Sequence, residues 1–390
     1  VSGPIYLVAA EPSGDALAAD LVAALKRRDE TLTFAGIGGA ALAAQGVQSP
    51  FDIRDLAVLG FVEGLKAYRR VVRRADEAAA AIVGARPQAV VLVDSWGFTL
   101  RVAQRVRRAA PTIPLIKYIG PQVWATRPGR AKTLAGAVDH LICIHDFEAP
   151  FYKPFGLDCT VCGHPAIGRH VQGDGAGFRQ RHEIEPDRPL LLVLPGSRES
   201  ELRRVGPVLF AAAEQIWDAS PHVVVGAVVA AGMESAVDAL IANANYPVVR
   251  IGPGERDDAF AAATAAIAAS GTVTTELALQ GAPVVVGYKL GWITWALARG
   301  LLLKTRYVTL LNVAANAEIA PEFIQTKFTS DRLAEKARIL IEDPKVRAAQ
   351  VEAQFRALDS MGRHATPAAE IAAGAVLGVI EKSQRRSSGT

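Results

Sequence analysis

Ala89-Val90-Val91-Leu92-Val93-Asp94-Ser95-Trp96-Gly97 is the stretch on which the fold turns. Five consecutive apolar residues, most of them β-branched, run without a break into a carboxylate and a small-residue turn. Unbroken rather than alternating hydrophobicity over a strand's length predicts a strand covered on both faces. That means a parallel sheet with crossover helices. Ligands of such sheets bind beyond the carboxyl ends of the strands, which is where Asp94 falls. A carboxylate there suits general-base work, with a plain helix N-cap as the structural alternative.

The same signature recurs outward from this strand. Ile5–Ala10, Leu115–Ile119, His140–Ile144 and Thr160–Cys162 read as strands, with a helix over Ala16–Arg28. From Gly163 to Pro189 the pattern breaks into Gly, Pro, His and charge, and a linker is expected. It restarts at Leu190–Leu194 and continues through Val223–Val229, Val248–Ile251, Ala265–Ala269 and Val284–Tyr288. Helices are expected over Glu199–Ala219 and Val273–Gln280, then almost continuously from Asp331 to Ile380, with Ser383–Thr390 a frayed tail. The expected architecture is α/β: two Rossmann-like, doubly wound parallel-sheet domains with a cleft between them. Residues 1–165 form the first and 166–345 the second. Helices over 346–382 pack back on the first domain or on a partner subunit.

Composition narrows the function. The 390 residues are half hydrophobic and 21% charged, enough apolar surface for real cores. No apolar run of about 18 residues is present to span a bilayer, and Ile5–Ala10 is too short for a secretory signal. The three cysteines make no disulfide scaffold, so a reducing cytoplasm is expected. A net charge of +4 does not announce nucleic acid, but clustered it suits anionic ligands or an anionic membrane.

At the other strand ends, Glu11-Pro12-Ser13-Gly14-Asp15 opens a helix, as an anion or polar-ligand site or as a simple cap. Gly36-Ile37-Gly38-Gly39-Ala40-Ala41 formally satisfies a dinucleotide fingerprint. It follows the wrong strand, however, and its helix stops at Gly46. Close passage of backbone near a ligand explains those glycines better. Gly120-Pro121-Gln122-Val123-Trp124, followed by Arg127, Arg130 and Lys132, reads either as a pocket for an amphiphile or as a packed loop with a solvated basic helix. Cys159-Thr160-Val161-Cys162 lies on a strand, and buried small hydrophobes are expected rather than metal or redox work. His164 is structural or faces the cleft.

In the second half, Gly196-Ser197-Arg198 at a helix start offers backbone donors, a hydroxyl and a permanent cation to a diphosphate. It is no Walker loop, because no Gly-Lys-Ser/Thr follows. Ser270-Gly271-Thr272 supplies a second small-residue turn, with Glu276 able to accept from ribose hydroxyls. No Asp-x-Asp lies at a strand end, so a bound metal is not expected, and Arg with helix N-termini would stabilise a leaving diphosphate.

The order and spacing of these motifs resemble the lipid-A-disaccharide synthase family over about Ile5 to Ile380. The stretches concerned are Glu11–Asp15, Gly36–Gly46, Asp94, Pro121–Ala125, Phe147–Tyr152, Gly163–Pro165, Leu194–Arg198, Ser270–Glu276 and Tyr307–Glu318. The resemblance implies a GT-B glycosyltransferase of Gram-negative bacteria, cytoplasmic and peripheral on the inner membrane. It implies joining of UDP-2,3-diacylglucosamine to 2,3-diacylglucosamine 1-phosphate with inversion, releasing UDP, with no cofactor and no metal in the chemical step. It assigns Asp94 as the base and Glu11, Ser13 and Trp124 to the acceptor side. Ser197, Arg198, Ser270, Gly271, Thr272, Glu276, Asn312 and Glu318 go to the UDP side. It leaves a homodimer open. Gly97, Thr126 and Ala317 depart from the family pattern, losing an acid, a tryptophan and an arginine.

A membrane surface is also suggested by the residues themselves. Leu56–Leu65 is apolar apart from Glu63 and precedes Tyr68-Arg69-Arg70, Arg73 and Arg74. Trp292–Leu303 carries Trp292, Trp295 and a leucine run between Lys289, Arg299, Lys304 and Arg306. Aromatics and cations beside apolar surface suit an anionic bilayer interface. The rival readings are a transferase or epimerase acting on soluble UDP-N-acetylglucosamine, an altered relative that only binds nucleotide or lipid, and an NAD oxidoreductase resting on Gly36–Ala41 alone.

Overall fold

The computed structural model describes residues 3–56, 64–124, 127–168, 171–230, 232–269, 273–289, 306–363 and 366–388. It divides into two compact units, one of Val1–Gly168 with His364–Thr390 and one of Arg169–Arg363.

The first unit carries a parallel sheet in the order β2-β1-β3-β4-β5-β6. Its strands are β1 (Ile5–Ala9), β2 (Phe34–Ile37), β3 (Ala89–Val93), β4 (Leu115–Tyr118), β5 (His140–Cys143) and β6 (Asp158–Val161). Both faces are covered, which is why β1 and β3 read as unbroken apolar runs. Tyr6, Val8, Val90 and Leu92 point into a core with the helices Gly64–Ala85 and Trp96–Ala109. Ile5, Leu7, Ala9, Val91 and Val93 point the other way, onto the helices Pro12–Arg28 and Ala368–Ser388.

That last helix belongs to the first unit. Ala372, Ala373 and Val376 are fully buried in its core, and Glu370 bridges Arg27 and Arg28. The frayed tail expected from Ser383 is instead helical to Ser388.

The second unit repeats the plan in the order β12-β11-β10-β7-β8-β9. Its strands are β7 (Leu190–Leu194), β8 (Val224–Val228), β9 (Val248–Ile251), β10 (Ala265–Ala269), β11 (Val284–Tyr288) and β12 (Glu322–Ile324). Of the stretch expected to be a linker, Gly163–Pro189, the part to Gly168 belongs to the first unit and the rest to this one. Asp174 caps the helix Gly175–Arg181 by accepting from the Gly177 N–H, and Phe178 in that helix is fully buried. One buried aromatic among glycines and charges anchors the segment although no periodic pattern marks it.

Both strand orders contain a reversal. In the first sheet it lies between β1 and β3, in the second between β7 and β10. At such switch points the loops diverge to opposite faces and leave a crevice at the carboxyl ends. Glu11–Asp15 follows β1 and Asp94 follows β3, while Gly196–Arg198 follows β7 and Ser270–Thr272 follows β10.

Candidate active site

Asp94 and Ser95 both occupy the left-handed region, with φ of 44° and 41°. Non-glycine residues there cost about 1–3 kcal/mol each and persist only where the surroundings enforce them. Three residues, Tyr118, Thr99 and Lys117, do so. The Asp94 N–H donates to the Tyr118 carbonyl at 2.9 Å. Thr99 Oγ1 lies 2.8 Å from the Asp94 carbonyl and 3.0 Å from that of Ser95. Lys117 Nζ donates to the Asp94 carbonyl and, at 2.8 Å, to Thr99 Oγ1.

Lys117 and Thr99 are buried. Burial pulls the Lys117 ammonium down to about 7, against the opposing attraction of Asp94 and Glu11. The Lys117 amine thus sits beneath the turn, within electrostatic reach of both Asp94 and Glu11. A side chain at Gly14 would touch the Asp94 Cβ, at 3.8 Å, so the turns after β1 and β3 lie side by side. Glu11 and Ser13 are exposed there.

The glycine-rich segment has a different purpose from the one expected. Asp15, nearly buried, accepts from the N–H groups of Gly39, Ala41 and Leu42 at 2.7–3.2 Å. A Cβ at Gly38 or Gly39 would come within 2.8 Å of the Asp15 carboxylate. Gly36 lies inside β2, where a Cβ would meet the Leu7 carbonyl at 2.5 Å. These glycines admit Asp15 and a neighbouring strand, not a ligand.

Beyond β4 and β5 lies an aromatic cluster. Trp124 meets Phe147 edge-on with ring centroids 5.3 Å apart, Phe147 stacks on His145 at 4.8 Å, and His145 lies 6.1 Å from His164. Burial draws both imidazoles down to about 4, so they are neutral at pH 7. His164 Nδ1 is buried without a hydrogen-bond partner among the described residues. Glu148 accepts from the Ile144 and His145 N–H groups, yet burial still lifts its carboxyl to about 7. The Tyr152 hydroxyl donates to the Pro121 carbonyl at 3.0 Å and fixes the start of the Trp124 loop. Ala125 and Thr126 lie outside the described residues.

Cys143 and Cys162 are buried and Cys159 is half-buried. Among the described residues no three His, Cys, Asp or Glu side chains converge as metal ligands.

In the second unit, Gly196 takes φ of 116° and turns the chain into the helix Glu199–Ala219. Ser197 and Arg198 are exposed at this turn. Glu201 Oε2 accepts from the Ser197 N–H at 3.2 Å, and burial raises its carboxyl against that bond and Arg198. Tyr288, at the end of β11, is raised by burial and Glu201 and lowered by Arg198 and Arg204. Two arginines thus share a neighbourhood with the β7 turn.

Ser270, Gly271 and Thr272 lie outside the described residues. Glu276 pairs with Arg256 Nη1 at 3.1 Å, and Arg256 also sits 5.7 Å over the Phe260 ring. Asn312 is fully buried. Its Oδ1 accepts from the Ile319 and Ala320 N–H groups, and its Nδ2 donates to the Ala320 carbonyl. Asn312 therefore shapes the loop that carries Glu318, which is exposed.

Lys117, His145 and Arg256 had no role in the sequence reading, and Glu148 entered it only within the stretch Phe147–Tyr152. A signal existed for Lys117: a cation inside the apolar run Leu115-Ile116-Lys117-Tyr118 calls for a buried partner. Arg256 has no such local mark.

A family model described as lipid-A-disaccharide synthetase matches residues 5–376. Lipid-A-disaccharide synthase of Rhodospirillum centenum is 40% identical over 381 residues, 97% of this chain and 95% of that one. The same enzyme of Paramagnetospirillum magneticum is 39% identical over 392 residues, 99% and 100% of the two chains. Among solved structures, a glycosyltransferase from Rickettsia africae superposes with a TM-score of 0.60 at 11% identity, covering 98% of this chain and 99% of that one. That likeness concerns the GT-B fold alone. The sequence matches favour the disaccharide-forming reading over its rivals.

Proposed function

The chain belongs to the lipid-A-disaccharide synthase family, and on that premise we propose which of its residues carry the reaction. The enzyme is a glycosyltransferase that forms the lipid A disaccharide from UDP-sugar and lipid-A-precursor sugar. Asp94 is the base. It takes the proton from the acceptor 6-hydroxyl as that oxygen bonds to the donor's anomeric carbon, and the bond from that carbon to the UDP oxygen breaks. Attack opposite the leaving group inverts the centre and gives the β-1,6 linkage.

The single observation that carries the Asp94 assignment is its strained turn. A left-handed Asp-Ser pair at a sheet's switch point, pinned by a buried lysine and threonine, has no structural need that a relaxed turn would not meet. Glu11 and Ser13, on the adjoining turn, and Trp124, on the aromatic wall, bind the acceptor sugar.

On the second unit, the Ser197 hydroxyl, the Arg198 guanidinium and residues Ser270, Gly271 and Thr272 bind the diphosphate and take up charge on departing UDP. Glu276, oriented by Arg256, accepts from the ribose hydroxyls. Asn312 holds the loop that presents Glu318 to the nucleotide.

Both substrates carry acyl chains that a bilayer accommodates, and we place the enzyme peripherally on an anionic inner-membrane surface. Exposed Arg69 and Arg70 follow the apolar stretch 56–65, most of which lies outside the described residues, as does all of 292–303. Phe151 and Phe155 add exposed aromatic surface to the first unit. Among the described residues no helix is long and apolar enough to cross a membrane.

Incubation of the purified chain with both diacylated sugars tests the reading. A tetra-acylated disaccharide with one equivalent of UDP is expected. UDP-N-acetylglucosamine serving as well as the diacylated donor would contradict it.

A further inference from the structure

Arg127 and Arg130 lie on the segment between β4 and β5. Arg127 is exposed in the left-handed region, φ 48°. Arg130 opens the helix Arg130–Ala135, and its guanidinium lies 5.2 Å over the Trp96 ring. Trp96 opens the helix that follows Asp94-Ser95, so Arg130 is packed on the residue next but one to the base.

The two cations are close enough to oppose each other. Arg130 is held below the usual arginine range, first by burial and then by Arg127. Among the described residues neither has a carboxylate in ion-pair range. Arginines of the adjoining helix are treated differently: Arg105 pairs with Asp76 and Arg107 with Asp139. Two uncompensated guanidinium groups, one partly desolvated on an indole, are an arrangement that an anion completes.

We propose that Arg127 and Arg130, the latter seated on Trp96, bind the anomeric phosphomonoester of the acceptor sugar and thereby present its 6-hydroxyl to Asp94. In a hexopyranose the ring oxygen is flanked by C1, which carries the phosphate, and C5, which carries the C6 hydroxymethyl group. A phosphate subsite must therefore lie within one sugar's length of the base, and Arg130 is seated on Trp96, two residues along the chain from Asp94. The donor carries its anomeric phosphate as part of UDP, so a dianionic phosphomonoester also distinguishes acceptor from donor. The inference rests on the reading of Asp94 as base.

Phosphate chemistry is shared with lipid headgroups, so the test has two arms. In neutral detergent micelles, kcat/KM is measured for the acceptor with and without its 1-phosphate. The wild type favours the phosphorylated acceptor by at least about tenfold. Arg127→Ala with Arg130→Ala lowers kcat/KM for that acceptor about 10- to 100-fold, leaves the dephosphorylated acceptor and the donor KM unchanged, and so erases the preference. Arg127→Ala alone, at an exposed position, gives part of the same loss, and unchanged kcat/KM for the dephosphorylated acceptor reports an intact first unit.

In the second arm, the variants are sedimented with phosphatidylcholine vesicles with and without phosphatidylglycerol. Retained acceptor preference in the double variant overturns the proposal. If anionic-vesicle binding is lost at the same time, the pair is a membrane contact instead. Asp94→Asn is run alongside. If it is inactive while the arginine variants keep the preference, this inference alone fails. If it retains turnover, the base reading fails with it.

Discussion

Lys117 Nζ donates to the main-chain carbonyl of Asp94 from a buried position on the interior strand β4, so its amine holds the backbone of the residue proposed as base. The bond goes to the carbonyl and leaves the carboxylate available to substrate. Lys117 and Thr99 together fix a turn that would otherwise relax out of the left-handed region.

Lys117→Met and Thr99→Val therefore act on turnover. Each is expected to lower kcat about 10- to 100-fold while the dissociation constant for UDP stays within about twofold, because a small misplacement of a reacting group is costly. Steady-state kinetics with UDP titration checks this. A fall in UDP affinity as large as the fall in kcat would mean general unfolding and would remove the positioning role.

The same lysine gives a pH signature in stability. Its folded value, about 7, lies below the unfolded value near 10.4, so burying the charged form carries a cost that is fully present below about pH 7. Between pH 7 and about 10 the folded lysine is neutral while the unfolded one still binds a proton. Stability relative to Lys117→Met should rise over that window, by at most about 1.4 kcal/mol per pH unit. Urea melts of both proteins across it provide the comparison, and parallel curves would show that Lys117 stays charged against Asp94 and Glu11.

Asp15 predicts a stability effect separate from chemistry. Its carboxylate satisfies three N–H groups of the glycine segment, Gly39, Ala41 and Leu42. Asp15→Ala leaves them unmet in a nearly buried place and should cost about 2–4 kcal/mol. Gly39→Ala should cost a comparable amount through its clash with the same carboxylate. Chemical denaturation measures both, and losses below about 0.5 kcal/mol would refute the loop-clamp account.

Glu276 and Arg256 form a half-exposed pair whose expected effect is on the nucleotide. Glu276→Gln is predicted to weaken UDP about tenfold, Arg256→Ala a few-fold, and the double variant little more than Glu276→Gln alone. Calorimetry on the three variants tests the coupling. Strict additivity would separate Arg256 from the ribose contact.

The strands were legible where burial on both faces leaves no polar residue, as in Ala89–Val93 and Leu190–Leu194. β12 escaped because Glu322–Ile324 is short, half-buried and begins with a carboxylate, which accepts from the Val308 and Thr309 N–H groups. The placement of Glu11, Asp94 and Arg198 beyond strand ends was legible because strand order and direction set it, not side-chain detail. What was not legible is pairing across distance. Nothing near Glu276 announces Arg256 twenty residues earlier, and nothing near Gly38 or Gly39 announces Asp15. Tertiary contact decides whether a glycine makes room for a ligand or for a carboxylate of its own chain.

The most direct test replaces Asp94 by Asn, which tolerates the left-handed turn and keeps the size but cannot take a proton. Formation of tetra-acylated disaccharide from the two diacylated sugars is followed together with UDP binding. A loss of about 10²- to 10⁴-fold in turnover with UDP affinity unchanged is the predicted result. Turnover within a few-fold of the wild type would contradict it.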